Sequence, residues 1–435
     1  MEAKNKIRKV IRKHPRRTIV LGFIGVILVG AFILQASFSL RGIDLRFIDS
    51  LFTSTSAVCV TGLSTVDTAD TFSVFGRTVI AVLIQIGGLG ITSIGVITIL
   101  LAKGKVSVGG ERLAKEAFNL SSGKNLRKVL RSIVLTEFVV ESVGVIIIFI
   151  DMCGRFDPVK AIGVSLFHTV SSFNNAGFDL SGNFRGMIEY HDDVLWVLVT
   201  AALIIIGGLG FFVNMEIITK RSFRRFSLHT KIVLSTTAFL IVSGTVLLMI
   251  TERTSLIGAF FQSVTARTAG FATENIGNYT NAGIIVLIIL MFIGASPGST
   301  GGGIKTTTMF VLVKNMKSVA LNKTCKAFNR KIPDGIIEKS LVVIGLALST
   351  IILSTLLVSY FEPGFTLKQI LTEVVSAYAT VGLSTGITPF LSSASKLVLI
   401  FTMFIGRVGP LTLITLWYHK NKPEAHYSEE SVNIG

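Results

Sequence analysis

The chain has 435 residues, half of them hydrophobic and only 15% charged. Soluble globular chains carry about 25% charged residues, so a water-soluble enzyme of ordinary composition is excluded; a disordered chain, poor in apolar residues, is excluded too. The 42 Lys and Arg against 25 Asp and Glu leave a net charge of +17. That balance fits nucleic acid, an anionic surface or a membrane protein with basic cytoplasmic loops, and position along the chain decides between them.

A bilayer core needs about 20 mostly apolar residues in a helix. In chain order such runs fall at residues 18–37, 78–102, 133–150, 194–219, 232–250, 282–313, 340–361 and 397–418. The first is not a cleavable leader, because no small-residue cleavage site follows it and seven more spans do. With eight spans, 30 of the 42 Lys and Arg fall on one side, at 1–17, 103–131, 220–231, 314–339 and the tail. The positive-inside rule then puts both termini in the cytoplasm and the chain in the cell membrane as a multi-pass protein. The opposite face holds acids that include Asp44, Asp49, Asp67, Asp70, Asp192 and Asp193, a charge that would concentrate cations at an entrance. The basic loops account for the net charge, and no nucleic-acid-binding motif accompanies them. Cys59, Cys153 and Cys325 lie far apart and suggest neither a disulfide framework nor a zinc site.

Between successive spans a short apolar segment recurs: LFTSTSAVCVTGLST at 51–65, LFHTVSSFNNAGFDL at 166–180, FFQSVTARTAGFAT at 260–273 and LTEVVSAYATVGLST at 371–385. Each has a hydroxyl residue (Ser56, Ser171, Thr265, Ser376), four or five residues, then Gly62, Gly177, Gly270 or Gly382. The following span carries a second mark, Ile86-Gly87-Gly88-Leu89-Gly90, Ile206-Gly207-Gly208-Leu209-Gly210, Ile293-Gly294 or Ile405-Gly406. These second glycines fit close helix packing. The unit is therefore span, re-entrant helix, extended glycine strand, span. A re-entrant helix of about 10 residues is roughly 15 Å long and reaches half-way through the hydrocarbon. Non-helical backbone at that depth must be buried or line water, and four copies around one axis achieve this. Their carbonyls would replace the water shell of a cation, and the helix C-termini would point their partial negative charge at it.

The sixth span is too long for a simple crossing, and Pro297 with Gly294, Gly298, Gly301, Gly302 and Gly303 cannot sustain a helix there. An interruption at mid-membrane marks a site or gate, here a loop below the filter that must move for conduction. A Walker A loop fails because Ile304 separates Gly303 from Lys305. A charge at mid-bilayer costs about 2.5–3.5 kcal/mol or more and needs a reason. Arg407 either faces the pore as a barrier to cations or pairs with Glu137, Glu141 or Glu216. Lys305 caps the loop or snorkels, and Glu216 pairs with a basic loop. The histidines are scattered and receive no role. No acid–base constellation supports an intramembrane enzyme, and the repeats are parallel rather than inverted, which argues against an occluded secondary transporter.

The pattern resembles the Trk/Ktr/HKT superfamily of cation transporters, and within it the membrane subunit of Ktr-type potassium uptake systems. The resemblance covers roughly residues 17–435. It rests on Val60-Thr61-Gly62-Leu63, Ser172-Phe173-Asn174-Asn175-Ala176-Gly177-Phe178, Thr265-Ala266-Arg267-Thr268-Ala269-Gly270-Phe271 and Ala379-Thr380-Val381-Gly382-Leu383. It also rests on Ser299-Thr300-Gly301-Gly302-Gly303-Ile304-Lys305 and Ile405-Gly406-Arg407-Val408-Gly409-Pro410-Leu411-Thr412. It implies an all-α membrane protein with four pseudo-symmetric repeats, at 18–102, 132–219, 232–313 (broken at 294–305) and 340–418, joined by cytoplasmic loops at 103–131, 220–231 and 314–339 between a 1–17 N-terminus and a 419–435 tail. It implies a selectivity filter of Val60, Thr61 and Gly62, Asn175, Ala176 and Gly177, Thr268, Ala269 and Gly270, and Thr380, Val381 and Gly382. The implied gate comprises Gly294, Ser296, Pro297, Gly298, Ser299, Thr300, Gly301, Gly302, Gly303, Lys305 and Arg407. Sodium-preferring plant relatives carry serine at the first filter position, so Gly62 argues for potassium. The resemblance further implies no bound cofactor, potassium as the transported ion, sodium as a candidate activator, a homodimer in the lipid bilayer and a cytosolic ring of nucleotide-binding RCK-type subunits. The 423–435 tail is a candidate contact for that ring. A Trk-type or sodium-permeable transporter is the alternative.

Overall fold

The computed structural model describes residues 15–90 and 126–414. The N-terminal segment 1–14, the end of the second expected span at 91–102, the basic loop up to residue 125 and the tail contact at 423–435 lie outside the described residues. Among the described residues four helices are long and apolar enough to cross a membrane: Arg17–Gln35, Arg131–Met152, Leu228–Glu252 and Asp334–Phe361. Each opens one of the four sequence repeats. Their flanks expose large apolar side chains, Phe32 at 65%, Ile150 at 70%, Phe239 at 69% and Leu353 at 60%. Such a surface would aggregate in water and suits acyl chains.

In the second and fourth repeats the second helix departs from the straight span expected from hydropathy, in the first the described helix ends early, and in the third the break expected from Pro297 and its glycines is present. Val74–Leu89 stops at Gly90, whose φ is +75°. Val194–Leu209 and Phe211–Lys220 meet at Gly210 (φ +94°) with a bend of 98°. Asn281–Phe292 and Thr306–Ala320 are separated by the Pro- and Gly-containing loop. Ser393–Val408 stops at Gly409 (φ +89°), followed by the short helix Pro410–Ile414. Hydropathy cannot register these breaks, because the residues on both sides stay apolar while one left-handed glycine redirects the chain. Gly210 thus breaks a helix, rather than packing it as its G-G-L-G context suggests, and Gly90 is the C-cap of Val74–Leu89.

Between the two helices of each repeat lies a further helix, shorter than the one that opens the repeat: Phe47–Cys59, Pro158–Phe173, Leu256–Thr265 and Leu367–Ala379. The second is 16 residues long, well beyond the expected 10, because Asp157 caps its N-terminus and Pro158 pre-sets its first turn. Thr366 and Gln369 form a capping box on the fourth. These helices are the buried elements of the fold. Ser54, Ser56, Ser165, Ser171, Thr265 and Ser376 are all inaccessible to solvent, and Ser54 Oγ donates to the Ile27 carbonyl at 2.7 Å. Two cores surround them. One joins all four repeats through Phe52, Phe178, Leu248 and Tyr378, and the other joins the second and third through Phe173, Trp196 and Phe261. A two-stranded hairpin, Lys326–Ala327 with Arg330–Lys331, interrupts the otherwise helical chain between the third and fourth repeats.

Candidate ion pathway

The four short helices end alike. The shared hydroxyl residue offers its backbone carbonyl to the chain that leaves the helix: Thr61 N–H donates to Ser56 at 2.8 Å, Ala176 to Ser171 at 2.7 Å, Ala269 to Thr265 at 2.9 Å and Val381 to Ser376 at 2.9 Å. Two residues before each glycine the backbone turns left-handed, at Val60 (φ 57°), Asn175 (59°), Thr268 (75°) and Thr380 (51°). Three of these are β-branched, and left-handed conformations in such residues cost about 1–3 kcal/mol each and gather at functional sites. The glycines follow with φ of 91°, 69°, 80° and 97°.

The glycines meet in a closed ring. A Cβ on Gly62 would lie 2.5 Å from the Ala176 carbonyl oxygen, one on Gly177 2.5 Å from Ala269, one on Gly270 2.2 Å from Val381, and one on Gly382 2.2 Å from Thr61. Each repeat leans on the next in order, and the fourth returns to the first. Any side chain at these positions would collide with a neighbouring backbone. The second glycine marks are also matched. Gly87, Gly207 and Gly406 press against the carbonyls of Val58, Phe173 and Tyr378, each four residues before a ring glycine, with Cβ positions 2.2, 1.9 and 1.8 Å away. In the third repeat Gly294 instead meets Gly302, because its helix is already broken.

On one side of the ring the glycines line a cavity of about 360 Å³, together with Asp67, Asp179 and Glu274. Asp179 follows the second filter motif and sequence reasoning assigned it no role, although its place two residues after Gly177 was visible. Enclosure, with the charge of Asp67 adding to it, pushes the Asp179 carboxyl up to about 6. Of the acids expected at the entrance, Asp49 is instead buried, taking 2.7 Å from Lys396 Nζ. Asp67 and Asp70 brace the 183–184 backbone.

On the other side lies residues 293–305, joined at its ends by a bridge between Ile293 and Ile304. Gly301 packs against Thr268, and Gly302 N–H donates to Thr380 Oγ1 at 3.1 Å. Thr300 Oγ1 donates to Asn175 Oδ1 at 3.1 Å. Three of the four left-handed residues are therefore in touch with the loop. Ser296 N–H reaches the Gly208 carbonyl at 3.1 Å, and Phe211 N–H reaches that of Gly298 at 3.0 Å, so the bend at Gly210 cradles Pro297 and Gly298. Lys305 Nζ caps the loop through the Gly301 and Gly302 carbonyls at 2.7 and 3.3 Å. Arg407 donates to the carbonyls of Thr300 and Gly87. The guanidinium thus clamps the loop to the first repeat, and none of the three intramembrane glutamates is its partner. Glu216 bonds Lys220, Ser227 and Thr230, in line with the basic-loop expectation. His168 is buried on Thr200 at 2.9 Å. Among the described residues no group of three or more His, Cys, Asp or Glu could hold a metal ion.

The family described as "TrkH: Cation transport protein" matches residues 12–256 and 233–429. The potassium/sodium uptake protein NtpJ of Enterococcus hirae is 38% identical over 99% of both chains. The Ktr system potassium uptake protein B of Bacillus subtilis is 35% identical, again over 99% of both, and that of Vibrio alginolyticus is 34% identical over 96% of this chain and 94% of its own. The crystal structure of the potassium transporter TrkH from Vibrio parahaemolyticus shares the fold, with a TM-score of 0.68 at 19% identity, covering 91% of this chain and 86% of that one. These relatives are transport proteins rather than enzymes. The chain is a multi-pass membrane protein and belongs to the TrkH family of cation transport proteins.

Proposed function

We propose that the chain is the pore-forming subunit of a Ktr-type potassium uptake system. Eight crossings form the four repeats around a single pore with both termini in the cytoplasm. The strands 60–62, 175–177, 268–270 and 380–382 act as the selectivity filter, and the segment from Gly294 to Lys305, clamped by Arg407, acts as the gate. The observation that carries this reading is the closed ring, in which each glycine abuts the carbonyl before the next. A ring of backbone carbonyls is the device that replaces a cation's water shell. The acid-lined cavity on one side is the natural outer mouth, and the loop occupies the path on the other. The relatives named for potassium uptake support the choice of ion. We infer a homodimer regulated by a cytosolic RCK-type ring, with sodium as a candidate activator. The relative named for both potassium and sodium favours, as a second reading, a pore that also passes sodium.

Purified chain in potassium-loaded liposomes tests the reading. Potassium flux is expected to exceed sodium flux, and deletion of 296–303 should raise it by opening the path. Equal fluxes would favour the sodium-permeable reading, and no ion flux from the deletion variant would reject the pore.

A further inference from the structure

The four filter strands are not anchored alike. In the first and fourth repeats the shared serine clamps the glycine itself: Gly62 N–H donates to Ser56 Oγ and Gly382 N–H to Ser376 Oγ, both at 3.0 Å. In the second and third repeats the equivalent Ser171 Oγ and Thr265 Oγ1 are buried with no hydrogen-bond partner. In the third, Gly270 N–H donates instead to the Thr265 carbonyl at 3.3 Å, and in the second Gly177 N–H makes no such bond to Ser171. The clamp is missing there, and a different anchor stands in its place.

Asn174, three residues before Gly177 and inaccessible to solvent, turns its side chain away from the pore axis. Its Nδ2 donates to Gln85 Oε1 at 2.9 Å and to Glu141 Oε1 at 3.2 Å. Gln85 Nε2 donates in turn to Glu137 at 2.6 Å and to both oxygens of Glu141 at 3.2 and 3.3 Å. Gly88 leaves room for the Asn174 amide, since a Cβ there would sit 1.7 Å from Oδ1. The same position in the other repeats is Cys59, Arg267 and Ala379, none of which can make this amide link. Glu137 and Glu141 stand one turn apart on the first helix of the second repeat, and Gln85 lies on the second helix of the first. The next residue, Asn175, bonds Thr300 of the loop through Oδ1 and Thr268 of the third strand through Nδ2 at 3.1 and 3.3 Å. The second strand is thus held between the loop on one side and two polar spans on the other.

We propose that Gln85, Glu137 and Glu141 are positioning residues for cation selectivity: through Asn174 they fix the second filter strand, replacing the serine clamp that this repeat lacks. The proposal rests on the filter reading above. Buried polar groups inside a membrane are costly and persist where they serve a task. Asn174 Oδ1 is left without a partner, so the anchor is its Nδ2, held by Gln85 and Glu141. The strand contributes one quarter of the ring, so its loosening alters the carbonyl spacing that separates potassium from sodium.

The test is the potassium-to-sodium flux ratio of the full chain in liposomes, for wild type, Gln85→Met, Glu141→Leu, Glu141→Gln and Gly177→Ser. Losing a buried hydrogen-bonded link should lower the ratio about tenfold in Gln85→Met and Glu141→Leu. Glu141→Gln keeps an oxygen to accept from Asn174 and should restore most of it, a rescue that general destabilisation would not produce. Should either apolar variant fail to fold, Gln85→Asn, which keeps the amide but is one carbon too short to reach both partners, should show the same loss. An unchanged ratio in Gln85→Met or Gln85→Asn, with Gly177→Ser lowering it, overturns the positioning role and leaves the filter standing. An unchanged ratio in Gly177→Ser as well removes the filter and this proposal together.

Discussion

Gly207 and Gly208 are neighbours of identical type, and the packing separates them. A Cβ on Gly207 would sit 1.9 Å from the Phe173 carbonyl, whereas at Gly208 the nearest atom is 3.5 Å away. Gly207→Ala should therefore destabilise the protein by about 1–3 kcal/mol through overpacking, and Gly208→Ala should be nearly silent, as thermal unfolding in detergent would report. Equal effects would refute the close approach. Asp179 supplies a pH prediction. Its carboxyl, held up near 6 by enclosure and the Asp67 charge, is neutral below that pH and anionic above it. Ionisation adds negative charge to the mouth and attracts cations, so uptake at low external potassium should rise as external pH climbs from about 5 to about 7. Asp179→Asn should flatten this rise, and an unaltered profile would assign it elsewhere. The sequence announced the ring glycines, because a hydroxyl–glycine spacing recurs four times. It was silent on Asp179 and Asn174, whose roles come from what folds beside them.

At the scale of the elements, the loop and its clamp behave as one device. Arg407 ties the Thr300 carbonyl to that of Gly87, and Lys305 ties the loop's own turn. Removing the guanidinium leaves the loop held to the filter strands by neutral hydrogen bonds such as those of Thr300 and Gly302, while Lys305 ties only the loop to itself. Since charged hydrogen bonds contribute about 1.5–3 kcal/mol each, Arg407→Met should open the path and raise basal potassium flux by about tenfold or more, measured as efflux from liposomes. A fall in flux with intact protein would show that the arginine assists conduction instead. The broken sixth span was legible because proline and glycine interrupt it openly. The breaks at Gly210 and Gly409 were not, because each is one glycine within an apolar run, and the same residue type can pack a helix or end one. At Gly210 the contact that distinguishes the two, with the Pro297 and Gly298 carbonyls, belongs to another repeat.

The first and last repeats meet at the glycine ring, at the Arg407 link to the Gly87 carbonyl, and at the buried pair between Lys396, at the start of the second helix of repeat four, and Asp49, in the short helix of repeat one, at 1% and 4% exposure. Breaking a buried ion pair from one side costs about 3–5 kcal/mol, whereas replacing both partners by apolar groups is often neutral. Lys396→Met should thus lower the unfolding temperature sharply, and the double variant with Asp49→Leu should recover most of it. Additive losses would contradict the pairing. Charge bias had placed both residues on the outer face, and their joining across the first and last repeats could not be read from spacing alone. What repetition did convey was the recurrence of one helical unit and the glycines where four backbones had to converge.

The most direct measurement of the central claim is the potassium-to-sodium flux ratio of Gly62→Ser against wild type in liposomes. Gly62 has φ of +91°, and a Cβ there would lie 2.5 Å from the Ala176 carbonyl. A serine must therefore displace a neighbouring carbonyl of the ring. The account predicts a potassium preference in the wild type that Gly62→Ser relaxes towards sodium. A ratio unchanged by the serine, in protein that still conducts, would contradict the four-glycine filter.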